Sequence, residues 1–240
     1  MHVASTPQSG SACWIGKKVL SGLIGKKVGM TQAVDAAGRV RAVTVIQLGP
    51  CAVSQIKTGS LDGYEAVQVT WGRKKHSRAT SAQRGHFRKA DIAPGIATRE
   101  FRRRGEGEIK LGQMIAAQEV FTAGDRVDVS GISKGHGYAG VIKRHHFAGF
   151  PNSRGTHEYF RHGGSIGNRS FPGRVRKGLR MAGQMGNERV TIVNQEVLEI
   201  IAEDNLVLVS GAVPGADNGI VVVRHAAKEA HYALERQAHG

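Results

Sequence analysis

The amino-acid sequence predicts a mainly β fold with some helix: a small antiparallel β-barrel body carrying a basic insertion and a long, glycine-rich extended loop. Three observations lead there. Short β-branched runs recur along the 240-residue chain between glycine and proline turn signals. Positive charge is gathered into two segments instead of being spread. The second of these segments holds 13 glycines in 60 residues, leaving too few large apolar side chains to offset its own ordering entropy.

The elements follow in order. Residues 1–21, with Lys17 and Lys18 and no acid, read as an N-terminal extension expected to be disordered; their IGKKV at 15–19 is echoed at 24–28. The barrel body is assigned to 22–72, 105–130 and 190–225. Residues 40–48 (VRAVTVIQL) are dense in β-branched side chains and stop at Gly49-Pro50. Strands at 53–57 and 65–71 (EAVQVTW) follow, the latter alternating with period two, and Leu61-Asp62-Gly63 supplies the turn between them. Residues 73–104 form the basic insertion, with a helix expected over 80–90 and Pro94-Gly95 ending the region. A short strand at 127–132 precedes the loop, 131–189. Strands at 189–201 (RVTIVNQEVLEII), 205–210 and 220–224 then return to the body, and Pro214-Gly215 punctuates the last two. Residues 226–240 read as a C-terminal helix or tail, 226–237 having good helix propensity. Strands on both sides of each basic segment make the segments insertions. Many short strands at close spacing favour a barrel over a βαβ sheet.

The charge pattern narrows function. Lys and Arg total 34 against 19 Asp and Glu, a net of +15. Residues 73–104 hold 11 basic and 2 acidic residues, and 131–190 again 11 and 2, each a net of +9. The two segments together exceed the charge of the whole chain, so the body is slightly acidic. Clustered cations of this kind point to a polyanionic partner, because phosphate neutralisation and counterion release reward clustering. No run approaches the roughly 18 apolar residues of a membrane span, and no secretory signal is seen. The two cysteines, Cys13 and Cys51, match neither a disulfide framework nor a thiolate metal site, which points to a reducing compartment.

Several motifs are weighed and set aside. Gly135, Gly137 and Gly140 fit G-x-G-x-x-G, with Glu158 18 residues beyond, but no helix-plus-strand unit follows as a dinucleotide site requires. His136, His145, His146, His157 and His162 lack helical spacing and acidic or thiolate company, so no metal is expected. No Ser-His-Asp or Cys-His arrangement and no carboxylate pair in the basic regions supports catalysis; no enzyme and no cofactor are expected. Arg174, Arg176, Lys177 and Arg180 lie among glycines, a composition suited to phosphate contacts with close backbone approach. Phe147, Phe150, Tyr159, Phe160 and Phe171 interleave with this charge and suit stacking on unpaired bases.

Specific blocks then carry a resemblance. GLIGKKVGMTQ at 22–32, GHFRKA at 85–90, EFR at 100–102, FTAGDRVDVSGISKGHGYAGVIKR at 121–144, GSIG at 164–167, MAGQMGNERVT at 181–191 and GAVPGA at 211–216 stand in order along nearly the whole chain. Together they resemble the bacterial-type L-three family of large-subunit ribosomal proteins, and the glycines of the apparent dinucleotide motif belong to that family's signature. The resemblance implies a structural protein and not an enzyme. It implies a barrel body with an insertion and a loop threading into large-subunit, 23S-type rRNA toward the peptidyl-transferase centre, with binding early in assembly. Its partners would be that rRNA and neighbouring large-subunit proteins, with no membrane and no small-molecule substrate. The location would be the cytoplasmic ribosome, an organellar one being the alternative. Where many bacterial members have a modified glutamine after the GSIG-like motif, this chain has Asn168.

The candidate rRNA contacts are Lys26, Lys27, Arg73, Lys74, Lys75, Lys134, His136, Lys143, Arg144, Arg154, Arg161, Arg169, Arg174, Arg176, Lys177, Arg180 and Arg189. The alternative reading is an RNA-modifying enzyme or RNA chaperone with a basic docking loop. An enzyme would need a cofactor pocket in the body, for which the sequence offers no motif.

Overall fold

The computed structural model describes residues 20–34, 38–103, 107–153 and 155–227. Its elements are β1 (Gly22–Val34), β2 (Val40–Leu48), β3 (Cys51–Lys57), α1 (Gly59–Asp62), β4 (Ala66–Trp71), α2 (Ser81–Arg88), β5 (Ala97–Arg102), β6 (Met114–Ile115), α3 (Ala117–Val120), β7 (Arg126–Ile132), β8 (Gly137–Ala139), α4 (Val141–His145), β9 (Gly183–Met185), β10 (Arg189–Ile201), β11 (Leu206–Ser210) and β12 (Ile220–His225). The chain forms two compact units, one of Met1–Gly131 with Thr191–Gly240, the other of Ile132–Val190. Among the described residues no helix is long and apolar enough to cross a membrane.

The first unit is built on a closed six-stranded antiparallel barrel in the order β1-β12-β7-β10-β11-β2. β-Branched and leucine side chains at Leu23, Ile24, Val43, Ile46, Val127, Val129, Val207, Val209, Val221 and Val223 on its strands are buried. The seam between β1 and β2 starts at Gly25 opposite Leu48 and slips at a bulge between Lys27 and Gly29. Gly25 is needed for close approach: a Cβ there would overlap the carbonyl oxygen of Gln47. β1 carries no clean alternation, and its strand state comes from pairing on both edges, with β2 and with β12.

The barrel does not contain all of the strands expected between residues 22 and 72. β3 and β4 pair with β5 and β6 in a separate four-stranded sheet of order β5-β4-β3-β6. On the edge away from β3, β4 pairs with the polar strand β5 (ATREFR), which has Trp71 opposite Ala97 and Gln68 opposite Glu100. Only Phe101 of β5 is fully buried, so its sequence has little apolar pattern to announce it. The two sheets share one core cluster in which Cys51, Val53, Val67, Val69, Phe101 and Phe121 join the barrel residues.

The expected helix over 80–90 is α2, two residues shorter at its C-terminal end. Thr80 caps it reciprocally: its Oγ1 accepts from the Gln83 N–H, and Gln83 Oε1 accepts from the Thr80 N–H. The expected extension at 1–21 and the tail at 226–240 lie outside the described residues except at 20–21 and 226–227.

In the second unit β8 pairs with β9, Tyr138 facing Gln184, and the Ser133 N–H donates to the Glu188 carbonyl at 2.9 Å. α4 is an unexpected single turn. One guanidinium N–H of Arg144 on it donates to the Met181 carbonyl at 2.8 Å. Gly186, at φ +71°, has no room for a side chain, since a Cβ would overlap the Lys134 carbonyl oxygen. Ala139 is the one buried residue described in this unit. Gly137 of the G-x-G-x-x-G pattern lies within β8, and α4 is too short to be the helix of a dinucleotide-binding unit.

Candidate nucleic-acid interface

In the first unit a cleft of about 1030 Å³ is lined by Arg73, Lys74, Lys75 and His76 from the segment after β4, by Arg84 and Arg88 from α2, and by 91–94 behind them. The segments are fixed from below. The Lys74 N–H donates to the Pro94 carbonyl at 2.7 Å, and Phe87 is buried and anchors α2. The capping box sets the helix start, so Arg84 and Arg88, four residues apart, share a face. Lys74 Nζ lies 3.4 Å from Gln83 Oε1, and the Arg84 guanidinium donates to Ser81 Oγ at 3.2 Å. Among the described residues none of these five cations is in an ion pair, and Asp91 is the one carboxylate on the lining. Five cations on a concave surface with one acid make that surface electropositive.

A polar network braces the sheet beneath α2. His86 Nε2 donates to Gln68 Oε1 at 2.7 Å, and Gln68 Nε2 donates to Glu100 Oε1 at 3.3 Å. The Tyr64 hydroxyl donates to Glu100 Oε2 at 2.8 Å, while Lys57 Nζ donates to Tyr64 Oη at 2.8 Å and sits 3.0 Å from Glu100 Oε1. The Tyr64 hydroxyl, with smaller help from Lys57 and Gln68, holds the Glu100 carboxyl below the usual glutamate range. The bond to Tyr64, then that to Glu100, raises the Lys57 ammonium above the ordinary lysine range.

The structure sorts the sequence candidates. Arg73 and Lys75 are exposed and Lys74 half-buried, and all three line the cleft. Lys26 is half-buried on β1. Lys27 is corrected: it is buried in the barrel wall, where Nζ donates to the carbonyls of Val213 at 3.1 Å and Gly215 at 3.3 Å. A lysine used up on backbone carbonyls is a structural brace, not a surface contact. In the second unit Lys134, His136, Lys143, Arg161, Arg169, Arg174, Arg176, Lys177, Arg180 and Arg189 are exposed, while Arg144 is half-buried against Met181. Of these, Arg174, Arg176 and Lys177 are gathered around one hollow of about 480 Å³. Arg154 lies outside the described residues.

His76, Arg84 and Arg88 are cleft residues that the sequence candidates did not include. Their signal was present: T-x-x-Q at 80–83 is a capping signature that puts the two arginines one turn apart. Among the described residues no group of three or more His, Cys, Asp or Glu is arranged to hold a metal.

A β-barrel unit with a cationic cleft, and a second unit whose cations are displayed with almost no core, define a polyanion-binding protein. Residues 108–205 match the family model described as ribosomal protein L3. The chain is 49% identical over 211 residues to the large ribosomal subunit protein uL3 of Acidothermus cellulolyticus, covering 88% of this chain and 95% of that one. To uL3 of Streptomyces avermitilis it is 49% identical over 213 residues, 89% and 99% of the two chains. To uL3 of Pseudomonas putida it is 52% identical over 207 residues, 86% and 97%. The chain belongs to the ribosomal protein L3 family.

Proposed function

We infer that the protein is a structural constituent of the large ribosomal subunit and not an enzyme, that it works in the cytoplasm on the ribosome, and that its partners are large-subunit rRNA and neighbouring ribosomal proteins. The observation that carries this reading is the likeness to uL3 proteins at about half identity over nearly the full length of both chains. The cleft supplies a physical means. Arg73, Lys74, Lys75, Arg84 and Arg88 face outward with no internal carboxylate partner among the described residues, so rRNA phosphates complete their charge balance.

The glycine-rich segment 131–189 is the second means. With Gly131 and Ala139 its only buried residues among those described, it has no core to order it, and folded RNA takes that place. In this reading Lys134, His136, Lys143, Arg161, Arg169, Arg174, Arg176, Lys177, Arg180 and Arg189 contact 23S-type rRNA as the segment runs toward the peptidyl-transferase centre, and binding occurs early in assembly.

Filter binding of the full chain to deproteinised large- and small-subunit rRNA at moderate salt tests the reading. Tighter retention of the large-subunit RNA, surviving competition by bulk tRNA, is expected. Equal affinity for both would reduce the protein to a general polyanion binder.

A further inference from the structure

We propose that the hollow around Phe171 captures one unstacked nucleotide of single-stranded RNA, with the Phe171 ring as the stacking platform. The proposal rests on the RNA-binding reading and adds to its phosphate contacts a base contact at one built hollow. Phe171 is 86% exposed, more than any other phenylalanine or tyrosine described in the chain. A lone exposed apolar side chain needs no explanation. This one sits on the lining of a hollow shared with Asn168, Pro172, Arg174, Arg176 and Lys177. The hollow's volume of about 480 Å³ falls within the roughly 300–1,000 Å³ typical of small-ligand clefts.

Each lining group matches one part of a nucleotide. The Phe171 ring offers a π-face to a base, a contact that tolerates any sequence because every base has one. The Asn168 side chain carries both a donor and an acceptor, the pair needed along a base edge. Arg174, Arg176 and Lys177 supply charge for the flanking phosphates, and none of them is in an ion pair among the described residues. The backbone is bent to present them. Gly173 has φ +67° and Gly178 φ +79°, and the Leu179 N–H donates to the Arg176 carbonyl at 3.3 Å, closing a turn beneath the cations. A base-paired helix keeps its bases stacked within, so the ring can engage only an unpaired one. The site therefore distinguishes single-stranded from double-stranded RNA, which the phosphate contacts do not.

The test measures affinity of the full chain for a non-self-complementary single-stranded RNA of about 12 nucleotides, a length within the usual single-strand site sizes, and for the corresponding duplex. The wild type is compared with Phe171→Ala and Phe171→Trp by fluorescence anisotropy. Without the stacked base, single-strand binding by Phe171→Ala should weaken by roughly 5- to 100-fold, leaving duplex affinity unchanged. Phe171→Trp should restore binding, with its added indole emission quenched by the bound RNA. Unchanged single-strand affinity in Phe171→Ala, with duplex binding intact, would overturn the stacking site and leave the RNA-binding reading standing. Equal weakening of both would overturn it too, since no base contact would be separable from phosphate docking. No RNA binding by the wild type would bring down both readings.

Discussion

Lys27 and Val213 are far apart in the sequence, yet the ammonium of one donates to the carbonyl oxygen of the other at 3.1 Å within the barrel wall. The same ammonium reaches the Gly215 carbonyl, and the Lys27 backbone bonds the 218–219 turn through both its N–H and its carbonyl. Lys27 therefore clamps the connection between β11 and β12 onto β1. Its neighbour Lys26 is half-buried on the same strand. Two adjacent lysines in one basic motif thus differ in accessibility.

Lys27→Met keeps the aliphatic stem and removes the donor, leaving two carbonyls short of a partner. A loss of about 1–3 kcal/mol in stability is expected, read as a lower urea midpoint at an unchanged m-value. The salt dependence of RNA binding should be untouched. A flattened salt slope at full stability would show Lys27 to be a phosphate contact after all.

Arg84→Ala and Arg88→Ala remove cleft cations from exposed positions of a capped helix and should leave the fold intact. Each should flatten the plot of log affinity against log salt by roughly one unit for every phosphate that the arginine neutralises. An unchanged slope in both variants would remove the cleft from the interface.

The Tyr64–Glu100 bond predicts a pH dependence. Because the native contacts lower the Glu100 carboxyl, chiefly through the Tyr64 hydroxyl, their stabilisation is present above the unfolded value of about 4.3 and is lost as pH falls through the native one. Tyr64→Phe should therefore be less stable than wild type at neutral pH, and the gap should close in acid. A gap that stays constant down to pH 3 or so, well below the unfolded value, would mean the hydroxyl does not act through the ionised carboxylate.

Cys51, the first residue of β3, is buried, its Sγ donating to the Ile24 carbonyl at 3.3 Å. Burial pushes the thiol up to about 11 against a smaller opposing effect of that bond. At mildly alkaline pH the native protein should resist alkylation at Cys51, as read by mass spectrometry of its peptide, and urea should release it. Stability should also fall as pH rises above the unfolded thiol value of about 8.5. Labelling of the native chain as fast as of the unfolded one would contradict this.

The sequence showed what local pattern encodes and hid what pairing decides. Residues 40–48 read as a strand because β-branched side chains fill them, and β2 has those bounds. β5 was hidden because Ala97, Thr98, Arg99 and Glu100 take their strand state only from β4 beside them. That β3 and β4 belong to a second sheet was hidden for the same reason: alternation identifies a strand but not its neighbour. In the site, charge density located the cationic segments, but no count of charges could separate Lys27, closed in by Val213 and Gly215, from Lys26 next to it. Arg84 and Arg88 were legible only once the Thr80–Gln83 capping box was taken as the start of a helix.

The most direct measurement is sedimentation of tagged full-length protein from a cell lysate through sucrose gradients at low and high salt. Co-migration with large subunits that persists at high salt is the predicted result, because an integral constituent is held by many contacts at once. Protein found mainly at the top of the gradient, or released by modest salt, would contradict a structural place in the subunit.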